Sequence, residues 1–169
     1  MSRIFINYRR DDSLEYAGRL YDQLTDYFPH DHIFMDIDQI EPGEDFHKVI
    51  NEKLKLVEVA VVLIGKHWLN ISDVNGQRRL DNPDDWVRLE IATLLERNIR
   101  VIPVLVGGAV MPKSTELPDC LKQLAQRQAH KISNHRRFHV DVRKLIQVLE
   151  KILGVQIQQT TFGQNKKKK

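Results

Sequence analysis

The sequence predicts an α/β protein of the doubly wound class, a parallel five-stranded sheet in three layers with helices on both faces. Two observations carry this. Short β-branched runs alternate with amphipathic helical segments along the chain, the pattern of successive β-α-β units. One run, EVAVVLIG at residues 58–65, is apolar almost without interruption, as expected of a strand buried on both faces. The length of 169 residues, 41% of them hydrophobic, suits one domain with a core of that size.

Taken in order, Arg3–Asn7 (RIFIN) is a short β-prone run followed by a polar stretch. Asp12 and Glu15 have the spacing of a helix capping box, and Leu14, Ala17, Leu20, Leu24 and Phe28 then repeat at helical period until Pro29. A second strand at residues 32–35 ends at Asp36, and the loop 36–43 closes on the turn signal Pro42-Gly43. Glu44 and Asp45 open a second helix, with Phe46, Val49, Ile50 and Leu54 facing inward. After the third strand at 58–65, a polar loop containing Trp68 and Gly76 leads to a central helix.

That helix is expected to start at Asn82 as its cap, with Pro83 in the first position, where a missing N–H costs nothing. Asp84 and Asp85 would complement the helix dipole, and Val87, Ile91, Leu94 and Leu95 form a core stripe. A fourth strand follows at 100–106, its Pro103 arguing for an irregular or edge-like hydrogen-bond position. A weak helix at 117–125, a short strand at 127–132 and a strong final helix ending at Gly154 complete the domain. Residues 1–154 form one domain, and 155–169 read as a disordered tail, a linker or a cloning remnant.

The overall charge of +3 rests on the four terminal lysines: without them 22 of the 26 basic residues remain against 23 acidic ones, a net of −1. A near-neutral globular part gives no support for a nucleic-acid or anionic-membrane surface. Cys120 stands alone, so no intramolecular disulfide is expected. No apolar run of about 20 residues occurs, and the strand pattern at the start of the sequence is not expected of a signal peptide. A soluble, cytoplasmic domain is expected.

Chemistry concentrates on the central helix. Trp86 and Glu90 are four residues apart and stack on one side, just off the core stripe. An indole beside a carboxylate is a plausible wall for a sugar or heteroaromatic ring, against the plainer reading of a packing Trp and an exposed helix Glu. In doubly wound sheets ligands gather beyond the C-terminal strand ends where strand order reverses. That rule gathers residues 8–12, the loop 36–43 and the start of the central helix on one rim. Other candidates fall away. A phosphoacceptor receiver domain needs an Asp at the end of the third strand, where Leu63-Ile64-Gly65 stands. His30, His32, His135 and His139 lack a ligand set at metal spacing, Cys120 lacks a partner base, and Gly107-Gly108 lacks the spacing of a phosphate loop.

Three stretches carry a family resemblance. Phe5-Ile6-Asn7-Tyr8-Arg9-Arg10 resembles the first box of TIR (Toll/interleukin-1 receptor) domains. Phe34-Met35-Asp36-Ile37-Asp38-Gln39-Ile40-Glu41-Pro42-Gly43 resembles the family's BB loop, and Trp86 with Glu90 resembles the Trp-x-x-x-Glu helix of its NAD-cleaving members. The similarity runs over residues 2–153 and is nearer the bacterial, NAD-hydrolysing branch than the animal adaptors. It implies a flavodoxin-like sheet of strand order 2-1-3-4-5. It also implies an NAD⁺ nucleosidase in immune or antiphage signalling, with Glu90 supporting the charge that develops as nicotinamide leaves. ADP-ribose or a cyclic isomer would be the product.

By the same resemblance Tyr8, Arg9, Arg10, Asp36, Glu41, Gly43, Phe46 and Trp86 line the substrate pocket, with an arginine on the diphosphate. NAD⁺ is then a substrate, with no further cofactor and no metal. The BB loop gates the site or meets another TIR domain, so activity would follow oligomerisation. Two departures stand out: Asn7 occupies a position often held by Ser, and the aromatic expected just past the BB-loop glycine is matched only by Phe46. The other class open to this resemblance is a non-catalytic TIR–TIR interaction module.

Overall fold

A computed structural model describes residues 3–35 and 41–154. Five strands, β1 (Arg3–Asn7), β2 (Ile33–Phe34), β3 (Val57–Ile64), β4 (Arg100–Leu105) and β5 (His130–Lys131), form one parallel sheet in the order β2-β1-β3-β4-β5. Helices α1 (Arg10–Thr25) and α4 (Phe138–Leu153) cover one face. The other is covered by α2 (Phe46–Lys53), α3 (Trp86–Glu96) and the 3₁₀ segment Asp119–Gln126. The two cores divide by strand alternation: in β3, Val59, Val61 and Leu63 pack under α1 and α4, whereas Ala60, Val62 and Ile64 pack under α2 and α3. Every one of these six is at most 1% exposed, so β3 is buried on both faces. Among the described residues no helix is long and apolar enough to cross a membrane.

Several elements differ from expectation where long-range partners outbid local ones. Asp12 does not form a capping box. Its carboxylate crosses to the end of β3, accepting from Gly65 N at 2.9 Å and His67 N at 2.8 Å. Immediately after it Ser13 leaves helical geometry (φ −141°, ψ 27°), kinking α1. The weak helix is a tighter 3₁₀ run beginning at Asp119, and the strand expected at 127–132 shrinks to His130–Lys131. Trp68, in a loop of polar sequence, is wholly buried. Pro103 is tolerated because pairing of β4 with β5 starts only at Val104, leaving that side of the strand open at the proline. Residues 36–40 of the expected loop, and the tail 155–169, lie outside the described residues.

The short β5 is secured from α4. Asp141 Oδ2 accepts from Ser133 N at 2.8 Å, and the Asp141 carbonyl accepts from His130 Nε2 at the same distance. Burial alone would push the Asp141 carboxyl up. The backbone and side-chain hydrogen bonds from Ser133, with Arg137 and His130 nearby, outweigh it and hold the group below its ordinary value.

Two outcomes follow for stability. A lowered folded-state pKa stabilises above the unfolded value near ~3.9 and is lost as pH falls through the folded one. Asp141→Asn is therefore expected to destabilise by about 1–2 kcal/mol at pH 7 in urea unfolding, with the gap from wild type narrowing in strongly acidic buffer. At Gly65 a Cβ would stand 2.6 Å from both Asp12 carboxylate oxygens. Gly65→Ala should thus displace Asp12 from its two N–H donors and cost about 1–3 kcal/mol by the same measurement.

Candidate active site

β1 lies where strand order reverses, with β2 on one side and β3 on the other. Its side chains alternate between faces: Ile4 and Ile6 join the α1/α4 core, and Phe5 the α2/α3 core. Asn7, two residues on from Phe5, faces α3. Its Nδ2 donates to Glu90 Oε2 at 2.6 Å. The backbone remains extended at Arg9 (φ −101°, ψ 120°), so the alternation outlasts the strand. Tyr8 accordingly packs in the α1/α4 core, and Arg9 turns back to α3.

There Arg9 Nη1 and Nη2 donate to Asp85 Oδ1 and Oδ2 at 2.9 and 2.8 Å, a bidentate pair with side-chain exposures of only 4% and 10%. Asp85 is also the cap of α3, accepting from Arg88 N at 3.0 Å. Asn82, expected as that cap, instead closes a turn before the helix: its Oδ1 accepts from Asp84 N and its carbonyl from Asp85 N. Pro83 therefore sits in a turn, not in the helix. The carboxylate three residues later competes better for the N-terminus because Arg9 holds it in place.

This later start makes Trp86 the first residue of α3 and brings Glu90 one turn further along the same side. The Trp86 ring, 37% exposed, meets Phe46 with centroids 5.8 Å apart, tilted by 50°. Phe46 is delivered there by the preceding turn. Glu44 N bonds Glu41 O at 3.0 Å across Pro42-Gly43, Gly43 takes the positive φ (+92°) that a type II turn needs, and Asp45 caps α2. Glu41 and Gly43 are exposed at this turn, and Arg10 is exposed as the first residue of α1.

The expected site residues thus separate. Glu90, Trp86 and Phe46 converge on one rim with the Glu41–Gly43 turn on the approach to α2, while Asp36 lies outside the described residues. Tyr8, Arg9 and Arg10 do not line one wall. Tyr8 is core, and both terminal nitrogens of Arg9 are committed to Asp85, which leaves Arg10 as the exposed member. Sequence reasoning missed Asn7 and Asp85 as site-shaping residues. The two-residue spacing of Phe5, Asn7 and Arg9 was the signal that sends Asn7 and Arg9 toward α3, where Asp85 meets Arg9.

Removing the Asp85 carboxylate leaves a buried guanidinium without its counter-charge and uncaps α3. Asp85→Ala is expected to lower unfolding free energy by about 3–5 kcal/mol, whereas Asp84→Ala, on the exposed neighbour, should stay within about 0.5 kcal/mol. Equal losses in the two variants by chemical denaturation would contradict the role assigned to the pair.

Comparison with known proteins agrees with this architecture. The sequence profile of the TIR domain matches residues 4–146, most of the chain. No curated protein matches the sequence at a significant level. Among solved structures, the TIR domains of the activated Roq1 resistosome directly recognising the pathogen effector XopQ superpose with a TM-score of 0.63. Identity is 15%, covering 87% of this chain and 98% of that one. The TIR domain of the Toll-related receptor TRR-2 from Hydra magnipapillata gives a TM-score of 0.49 at 14% identity, covering 89% of this chain and 97% of that one. By its sequence profile, on a sheet of the expected order, the chain belongs to the TIR domain family.

Proposed function

We propose that this TIR domain is an NAD⁺ nucleosidase that cleaves the bond between nicotinamide and ribose, with Glu90 as the catalytic carboxylate. The observation that carries the reading is the place of Glu90. Its carboxylate meets Asn7 at the C-terminal end of β1, at the reversal of strand order, on the helix side that also presents Trp86.

The chemistry asks little of the protein. Nicotinamide in NAD⁺ is already cationic, so the C1′–N bond breaks with its electron pair passing to the ring nitrogen, and neutral nicotinamide leaves without a general acid. Positive charge develops on the ribose, and a carboxylate beside it lowers that barrier electrostatically. A water oxygen then bonds to C1′ and releases its proton, giving ADP-ribose. Attack by a group of the same molecule gives a cyclic isomer. The Trp86–Phe46 pair offers an aromatic wall for a ring of the substrate. Arg10, exposed at the start of α1, is the first-box arginine assigned to the diphosphate, since both terminal nitrogens of Arg9 bind Asp85.

Residues 36–43 gate the pocket or meet a neighbouring TIR domain, and assembly then raises activity, in a setting of immune signalling. The resistosome whose TIR domains share this fold is compatible with such a setting. A second reading, a TIR–TIR interaction module without hydrolysis, is favoured by one feature: the burial of Arg9, which withdraws one of two first-box arginines from any substrate.

High-concentration protein incubated with NAD⁺, with products separated by chromatography, discriminates the two. Wild type should release nicotinamide, and Glu90→Ala should lose about a hundredfold or more of that rate with its circular dichroism spectrum unchanged. Full activity in Glu90→Ala rejects this mechanism, and inactivity of concentrated wild type favours the interaction module.

A further inference from the structure

We propose that Asn7 is a positioning residue for the reaction, a neutral donor that aims the Glu90 carboxylate and keeps it ionised without cancelling its charge. This deepens the nucleosidase reading and rests on Glu90 as its catalytic group. Asn7 is wholly buried, and its Nδ2 lies 2.6 Å from Glu90 Oε2. The amide has one sensible orientation, because the reverse would set its oxygen against a carboxylate oxygen. That orientation leaves Asn7 Oδ1 buried with no hydrogen-bond partner among the described residues. A leucine would fill similar space without an orphaned acceptor, so packing does not account for the amide, while the donor it presents to Glu90 does.

The contrast two residues on sharpens the point. Asn7 and Arg9 leave the strand on the same face, and each meets a carboxylate of the α3 region. Arg9 meets Asp85 with a full positive charge and two hydrogen bonds, which suits a structural clasp. Asn7 meets Glu90 with an uncharged N–H. Such a donor restricts the rotamers of the glutamate and favours its ionised form, yet leaves its negative charge to act on a cationic ribose. A cation at residue 7 would quench that charge.

The test uses the whole domain as Asn7→Leu and Asn7→Asp, with Glu90→Gln as control. Asn7→Leu should melt at or above the wild-type temperature while its kcat for NAD⁺ cleavage falls on the order of 10- to 100-fold. KM should stay within about threefold, the pattern of a lost orienting hydrogen bond. Asn7→Asp, nearly isosteric, sets a second carboxyl beside Glu90 and should move the acid limb of the kcat/KM profile upward by about one pH unit or more. A readout independent of turnover is the ¹³C titration of the Glu90 carboxyl, which should occur at higher pH in Asn7→Leu than in wild type.

A folded Asn7→Leu with kcat within about twofold of wild type, or an unmoved acid limb in Asn7→Asp, overturns the proposal. So does an identical Glu90 titration in wild type and Asn7→Leu. Should wild type release no nicotinamide, or Glu90→Gln cleave as wild type does, the nucleosidase reading fails, and the carboxyl titration still decides whether Asn7 controls Glu90.

Discussion

The geometry of the rim depends on one buried ion pair. Arg9 and Asp85 are 76 residues apart in sequence, yet their two parallel hydrogen bonds join the exit of β1 to the first turn of α3. The planar guanidinium matters, because only a rigid fork meets both carboxylate oxygens at once and so fixes direction as well as distance. Removed from water, such a pair gives little net stability against an apolar alternative, but it strongly penalises any arrangement that separates its members. It therefore specifies a geometry more than it adds stability, and what it specifies is where α3 begins.

Consequences run outward from that starting point. Because Asp85 is the cap, Trp86 is the first helical residue, its ring is left partly exposed, and Phe46 comes to rest against it. One turn later Glu90 meets the end of β1, while Val87 and Ile91 carry the helix into the α2/α3 core. The loop that supplies Arg9 is fastened twice more, by Asp11 on Arg79 at 2.8 Å and by Asp12 on the backbone after β3. The exposed Asp11 pair contributes little, whereas Asp12 satisfies two backbone donors and obliges residue 65 to be glycine.

Much of the layout was legible in sequence because it follows from periodicity. The nearly unbroken apolar run of β3 and the core stripes of α3 and α4 rest on patterns of two or 3.6 residues. The failures share a cause. Asp12 and Asn82 were read as caps and Asp85 as a complement to the helix dipole, and local spacing cannot tell which of these side chains has a distant partner. Here Gly65 claimed Asp12 and Arg9 claimed Asp85, each across more than fifty residues. The first-box run misled in another way: read as a contiguous motif it suggests one lining surface, whereas an extended backbone sends Tyr8 and Arg9 to opposite sides of the sheet. Trp68 was hidden by the polar residues around it.

The two outermost strands each comprise two residues, and β5 is further tied down by His130 and Ser133 bonds to α4. So short an edge exposes very little backbone ladder to another chain. These two strands consequently offer copies of this domain little template for joining sheet to sheet, which favours assembly through side chains of loops and helices. Contacts of that kind are reversible and open to tuning by single residues, whereas extended backbone pairing between sheets tends toward the permanence of fibrils.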